Sequence, residues 1–146
     1  MNLNVEKILI IGLGMIGSSI ALASKSKGIK VYGFDKSNNS VKEALEKNII
    51  DSKVESILDI NSKDFVKKVD LIIVAVPPKQ TLDVLNDLKD IWNTDVTITD
   101  TSSVKNHIKL NGASNIVLSH PIAGSDQCGI SAANGDLFKN KKNVLC

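Results

Sequence analysis

Between Lys7 and Asp35 the chain passes through a short apolar run, a glycine-spaced turn, an amphipathic segment, a second apolar run and an acid. No other stretch restricts the possible folds as strongly. Ile8-Leu9-Ile10-Ile11 has the length and branched-aliphatic content of a strand buried on both faces. Gly12, Gly14 and Gly17 follow at G-x-G-x-x-G spacing, and Met15 to Lys27 reads as a helix opening at that turn. The first glycine permits the tight turn, the second lets the backbone approach a pyrophosphate, and the third allows close helix–strand packing. The helix N-terminus adds N–H groups and partial positive charge suited to phosphates. Lys30 to Phe34 reads as a second strand, with Asp35 at its carboxyl end, eighteen residues after Gly17. An acid at that place takes the ribose hydroxyls of an adenosine half. The motif therefore predicts a dinucleotide site rather than a strand–helix unit whose glycines serve geometry alone.

A secretory signal is the other reading of this stretch. Ile8 to Ser24 carries no charge, Lys7 precedes it, and Ala21-Leu22-Ala23 resembles a cleavage site. Three glycines interrupt the would-be hydrophobic region, however, and the run is shorter than the roughly 20 apolar residues that span a bilayer. No membrane association is expected.

The 146 residues, 42% of them hydrophobic, suit one domain, 1–146, with a genuine core. All 18 basic residues are lysines spread along the chain, and aromatics make up only 3%. A nucleic-acid binder more often shows a basic stripe with interleaved aromatics, so no nucleic-acid partner is expected. Cys128 and Cys146 are too few and too far apart for a zinc site, no metal is expected, and a cytoplasmic enzyme is the default. The absence of arginine means that this chain cannot form the bidentate guanidinium–carboxylate clamp common in sites for carboxylated substrates.

Downstream, a helix is expected over Val41–Lys47 with Ser40 as N-cap, and a loop with a brief strand over Ile49–Ile60. A short helix follows at Ser62–Val69, and Leu71–Val76 is the clearest buried strand, stopped by Pro77-Pro78. Helices are expected at Gln80–Leu88, Val104–Leu110 and Ile130–Leu137, and strands at Val96–Thr99, Ile116–Ser119 and Asn143–Cys146. The alternation predicts an α/β fold: a doubly wound, mainly parallel sheet with helices on both faces. Ligands bind such sheets beyond the carboxyl ends of the strands, where every unusual loop of this chain falls.

His120 is the best catalytic candidate. It follows a strand, precedes Pro121, and is trailed by the unbulky Ile122-Ala123-Gly124. Histidine can accept a proton from a substrate hydroxyl while hydride leaves the same carbon. A strand-end histidine bonded to backbone is the plainer alternative. His107, with lysines on either side, reads as a surface residue. Ser103 has two compatible roles: orienting His120 or contacting substrate, and capping the helix expected at Val104, a cap that Ser102 could also supply. Lys105 could hold a carboxylate or phosphate, and Asp126 could order the loop.

With these residues in place, the chain resembles the nucleotide-binding domain of the prephenate dehydrogenase family, which includes arogenate dehydrogenases. The resemblance runs from Lys7 to Cys146 and rests on Ile10–Ser19, Val31–Asp35, Val76-Pro77-Pro78 and Asp100–Lys105. Most specific is Ser119-His120-Pro121-Ile122-Ala123-Gly124-Ser125, with Gly129, Ala132-Ala133 and Leu137-Phe138 downstream. It implies a Rossmann-type domain and oxidative decarboxylation of prephenate to 4-hydroxyphenylpyruvate on the route to tyrosine. The histidine matching His120 would polarise the ring hydroxyl, and the serine matching Ser103 would assist. NAD is the implied cofactor, since Asp35 would repel the extra phosphate of NADP, although Lys36 stands beside it. The implied cofactor contacts are Gly12, Gly14, Met15, Ile16 and Gly17 at the turn, Asp35 and Lys36 after the second strand, and Val76, Pro77 and Pro78. Ser102, Lys105, Ser125 and Asp126 are the implied substrate contacts.

Two departures stand out. Family members usually carry glycine or alanine at Ser102 and glutamate at Asp126. The family also continues into a helical second domain that forms a dimer and supplies an arginine for the substrate carboxylate. The apolar run ending at Cys146 without a cap fits a chain lacking that part, so nucleotide binding with little or no turnover is expected of these residues alone. Arogenate oxidation, another dehydrogenase of the same superfamily, or a non-catalytic dinucleotide sensor are the alternative readings.

Overall fold

The computed structural model describes residues 4–106 and 108–146, so the expectation for His107 lies outside the described residues. Strand β1 (Lys7–Ile11) alternates its side chains between two apolar clusters, with Leu9 and Ile11 in one and Ile8 and Ile10 in the other. All four are essentially inaccessible to water, as the uninterrupted apolar run requires of a central parallel strand. Helix α1 (Met15–Ser26) covers one face of it, and β2 (Lys30–Phe34) returns parallel to β1. Then come α2 (Asn38–Glu46), the short β3 (Ser52–Lys53), and two single-turn helices, α3 (Ile57–Ile60) and α4 (Lys63–Val66). Strand β4 (Leu71–Val74) pairs with β1 on the side opposite β2, with Ile11 facing Val74. Helix α5 (Pro78–Asp87) leads to β5 (Thr97–Asp100) and β6 (Ile116–Val117).

The sheet order is β3-β2-β1-β4-β5-β6, and its neighbouring strands all run parallel. Connections wind one way from β1 and the other way from β4, so a crevice opens between the carboxyl ends of these two strands. A separate antiparallel pair, β7 (Ser119–Pro121) and β8 (Asn143–Leu145), carries the histidine loop. The loop between them crosses α1, where the Ser19 hydroxyl accepts the Asn134 N–H at 2.9 Å. The expected doubly wound, mainly parallel sheet is what forms.

Several local expectations are corrected. No α-helix forms among the described residues of 104–110. The Ser102 hydroxyl accepts the Val104 N–H and donates to the Val104 carbonyl, so side chain competes with backbone where a helix would begin. The helix expected over 130–137 shrinks to a 3₁₀ turn, Ile130–Ala132. Asn134 accepts the Asp136 N–H in a local turn that ends it. Helix α2 begins earlier than expected because Ser37, not Ser40, is its cap and accepts the Ser40 N–H. The strand expected at 116–119 divides at Leu118, where the chain leaves the parallel sheet for β7.

Asp51 ties β2 to α1. Its carboxylate accepts the Val31 N–H at 2.8 Å and meets the Lys25 ammonium at 3.0 Å. Partial burial by itself raises the carboxyl, but the Val31 amide and Lys25 outweigh it and hold it below its ordinary value of 3.8. The resulting stabilisation is complete above that value and vanishes as pH falls through the lower folded one. Asp51→Asn is therefore expected to lower stability in urea denaturation near neutrality, with the difference from wild type shrinking once pH drops below 3.8.

Candidate active site

Gly12 sits at φ +99°, and its N–H donates to the Phe34 carbonyl at 2.8 Å. A Cβ added there would come within 2.5 Å of the Ala75 carbonyl oxygen, and one at Gly17 within 1.9 Å of the Gly12 carbonyl oxygen. Packing alone forbids side chains at both. Gly14 is different. It has φ −78°, ordinary for any residue, and an added Cβ would meet nothing within 4 Å. Among the described residues nothing requires glycine at 14, whereas a pyrophosphate lying over the N-terminus of α1 would. The open space above Gly14 is the fit expected for a bound dinucleotide.

The Asp35 carboxylate is held from two sides: one oxygen accepts the Leu13 N–H at 2.7 Å, the other the Ser37 N–H at 2.8 Å. It thereby joins the glycine turn to the start of α2. Between the carboxyl ends of β1, β2 and β4 lies a cleft of ≈ 410 Å³ walled by Phe34, Asp35, Lys36, Ile57 and Val84. Its apolar sides and terminal acid suit a planar base and its ribose. Val76 and Pro77 form a ridge shared with a second cleft of ≈ 470 Å³. Met15, Ile16, Pro78, Ser103 and His120 line that second space, and Gly14 borders both. The structure thus brings the expected cofactor residues to one continuous crevice with the catalytic candidate at its far end. Gly17 lies under it, packed against the turn.

His120 is the middle residue of β7 and pairs with Val144 of β8. It is half-buried on the cleft, and among the described residues no hydrogen bond engages its imidazole. That leaves the ring open to the cleft, unlike a strand-end histidine bonded to backbone. Ser103 is exposed on the same cleft, but no hydrogen bond among the described residues joins it to His120.

The expected substrate contacts fare differently. Ser102 borders the cleft, yet it is 3% exposed and its hydroxyl is committed to Val104. Lys105 is turned inward: its ammonium donates to the Asp100 carboxylate at 2.5 Å and to the Ser119 carbonyl at 2.7 Å. A wholly buried carboxylate claims the cation more strongly than solvent does. Ser125 and Asp126 are exposed, bonded to one another, and stand outside the cleft wall. Gln127, Cys128 and Gly129 line it instead. Reading the residues did not assign these to the site, although Gly129 was among those carrying the family resemblance; its φ of +82° turns the chain back. Asp100 was also legible, as the acid that directly follows the strand expected at Val96–Thr99.

A parallel sheet in this order, with its glycine turn, an acid at the end of β2 and an open switch point, defines a dinucleotide-binding domain of the Rossmann class. Residues 20–146 match the family model described as prephenate dehydrogenase, nucleotide-binding domain, and the chain belongs to that family. It is 34% identical over 154 residues to the prephenate dehydrogenase of Bacillus subtilis, an alignment covering 99% of this chain and 40% of the relative. Among solved structures, prephenate dehydrogenase from A. aeolicus in complex with hydroxyphenyl propionate and NAD+ is similar at a TM-score of 0.82 and 28% identity. That likeness covers 99% of this chain and 51% of the other. Synechocystis arogenate dehydrogenase is similar at a TM-score of 0.83 and 27% identity, over 95% of this chain and 49% of the other. The chain spans about 40% of the length of the curated relative it matches. No helix among the described residues is long and apolar enough to cross a membrane.

Proposed function

We propose that this domain belongs to an NAD-dependent enzyme that converts prephenate to 4-hydroxyphenylpyruvate. The observation that carries the reading is the His120 imidazole, unengaged among the described residues, in the same crevice as the open space over Gly14. When bound there, NAD supplies a hydride acceptor. The protein's part is to hold the nucleotide through the glycine turn and Asp35, and to place a base at the substrate's ring hydroxyl. His120 takes that hydroxyl proton as the carbon beneath it gives up hydride and the ring carboxylate leaves as carbon dioxide, and the proton then returns to the phenolate oxygen to give the product's hydroxyl. Ser103, on the same wall, contacts substrate. Aromatisation drives the step.

NAD rather than NADP is supported by Asp35, whose charge opposes a ribose phosphate, and by the NAD+ complex of the A. aeolicus neighbour. Asp35→Ala is expected to weaken NAD binding on the order of ten- to hundredfold, the worth of hydrogen bonds to a charged group, and to narrow the preference over NADP. Calorimetric titration with both nucleotides measures this.

In this reading the remaining length of the enzyme is a helical domain that forms a homodimer and brings the arginine this chain lacks to the substrate carboxylate. The free thiols of Cys128 and Cys146 suit a reducing cytoplasm, where we place the enzyme. The test is to follow reduced nicotinamide formation by the full-length protein with prephenate and with arogenate. Turnover of prephenate supports the reading, and turnover of arogenate alone moves the substrate to arogenate, the reading favoured by the Synechocystis neighbour. Tight NAD binding without turnover of either acid would favour a sensing domain.

A further inference from the structure

We propose that Lys105 and Asp100 are positioning residues: together they lock the peptide that carries His120, and Lys105 does not bind substrate. The inference rests on His120 being the catalytic base. The parallel ladder between β5 and β6 stops at the Thr99–Val117 pair, one residue before the site begins. Beyond it, side chains take over. Asp100, the last residue of β5, is wholly buried, and its carboxylate accepts the Ser119 N–H at 3.0 Å, the Ser102 N–H at 3.1 Å and the Lys105 ammonium. The Ser119 hydroxyl donates to the Asp100 carbonyl at 2.6 Å and accepts the Thr99 hydroxyl at 3.1 Å. Lys105 completes the set by donating to the Ser119 carbonyl at 2.7 Å.

Every polar group of Ser119 is thus engaged, and its carbonyl belongs to the peptide plane that joins it to His120. With that plane held at the carbonyl by Lys105 and through Ser119 N by Asp100, the direction in which the His120 side chain leaves the strand is set. A lysine suits the task because its single ammonium can reach a carboxylate and a carbonyl at once. Proton transfer tolerates little misplacement of the base, so a small rotation here is costly to turnover.

The test compares Lys105→Met and the double variant Asp100→Asn/Lys105→Met in the full-length protein. In Lys105→Met the buried carboxylate loses its cation, so both melting temperature and kcat should fall. The double variant removes the stranded charge, so its melting temperature should recover while kcat stays about a hundredfold below wild type. NAD affinity should be unchanged in both. Hydrogen exchange read by mass spectrometry should be faster over residues 118–123 in the double variant, with the β1 and β4 peptides as protected as in wild type. Recovery of kcat together with melting temperature would overturn the proposal, because the lysine would then only neutralise Asp100. A raised KM for the substrate with kcat unchanged in Lys105→Met would also overturn it, in favour of substrate binding. Should the wild-type protein turn over neither acid, the assigned activity fails on its own and the exchange measurement decides this proposal: unaltered exchange over 118–123 would reject it.

Discussion

Replacing His120 with alanine in the full-length protein is expected to cut kcat by about 10²–10⁴-fold, the usual contribution of a positioned general base. NAD affinity should stay as in wild type. The imidazole is half-buried at the centre of β7, and its backbone pairing with Val144 does not depend on the side chain, so the fold should survive the truncation. Steady-state kinetics with prephenate, paired with nucleotide titration, separates the outcomes. Loss of nucleotide binding would mean that the ring supports the crevice, and retained turnover would remove His120 from the chemistry.

The second large effect lies at the other end of the crevice, where two glycines of one motif should fail in opposite ways. A Cβ at Gly17 would sit 1.9 Å from the Gly12 carbonyl oxygen, a backbone atom that cannot swing aside. Gly17→Ala should therefore destabilise the protein by about 1–3 kcal/mol or more, as overpacking does, and lower its melting temperature. At Gly14 the space is open and the backbone angles are unremarkable, so Gly14→Val should melt like wild type. Its isopropyl group would fill the volume over the N-terminus of α1, and NAD affinity should drop on the order of a hundredfold, about 2.7 kcal/mol. Thermal melts with and without NAD test both at once. A destabilised Gly14→Val that still binds NAD would contradict the assignment of that space to the pyrophosphate.

These predictions draw on different kinds of legibility. The strand–turn–helix–strand–acid unit could be read from residues 7–35 because each part is local: a doubly buried strand needs a continuous apolar run, and the turn needs glycine where carbonyls crowd it. The buried strand at 71–74 was readable for the same reason. The segments that were misread are those where a side chain far along the sequence, or a competing local bond, overrode helical propensity. At 104–110 the Ser102 hydroxyl ties up Val104 while Lys105 is drawn inward to Asp100. After His120 the chain must climb over α1 and bond to Ser19, which leaves only a 3₁₀ turn where a helix was expected.

The sequence by itself determined the class of fold, the place of the glycine turn and the acid at the end of β2, and it singled out His120 as the candidate base, because periodicity and residue chemistry are properties of neighbouring positions. Which side chains face the crevice was decided only in three dimensions. Gln127 and Cys128 line it while Ser125 and Asp126 do not, and Lys105 turns from it to a carboxylate that no spacing rule pairs with it. The physical reason is that a buried charge must find its partner wherever the fold brings one within reach, and only packing fixes where that is.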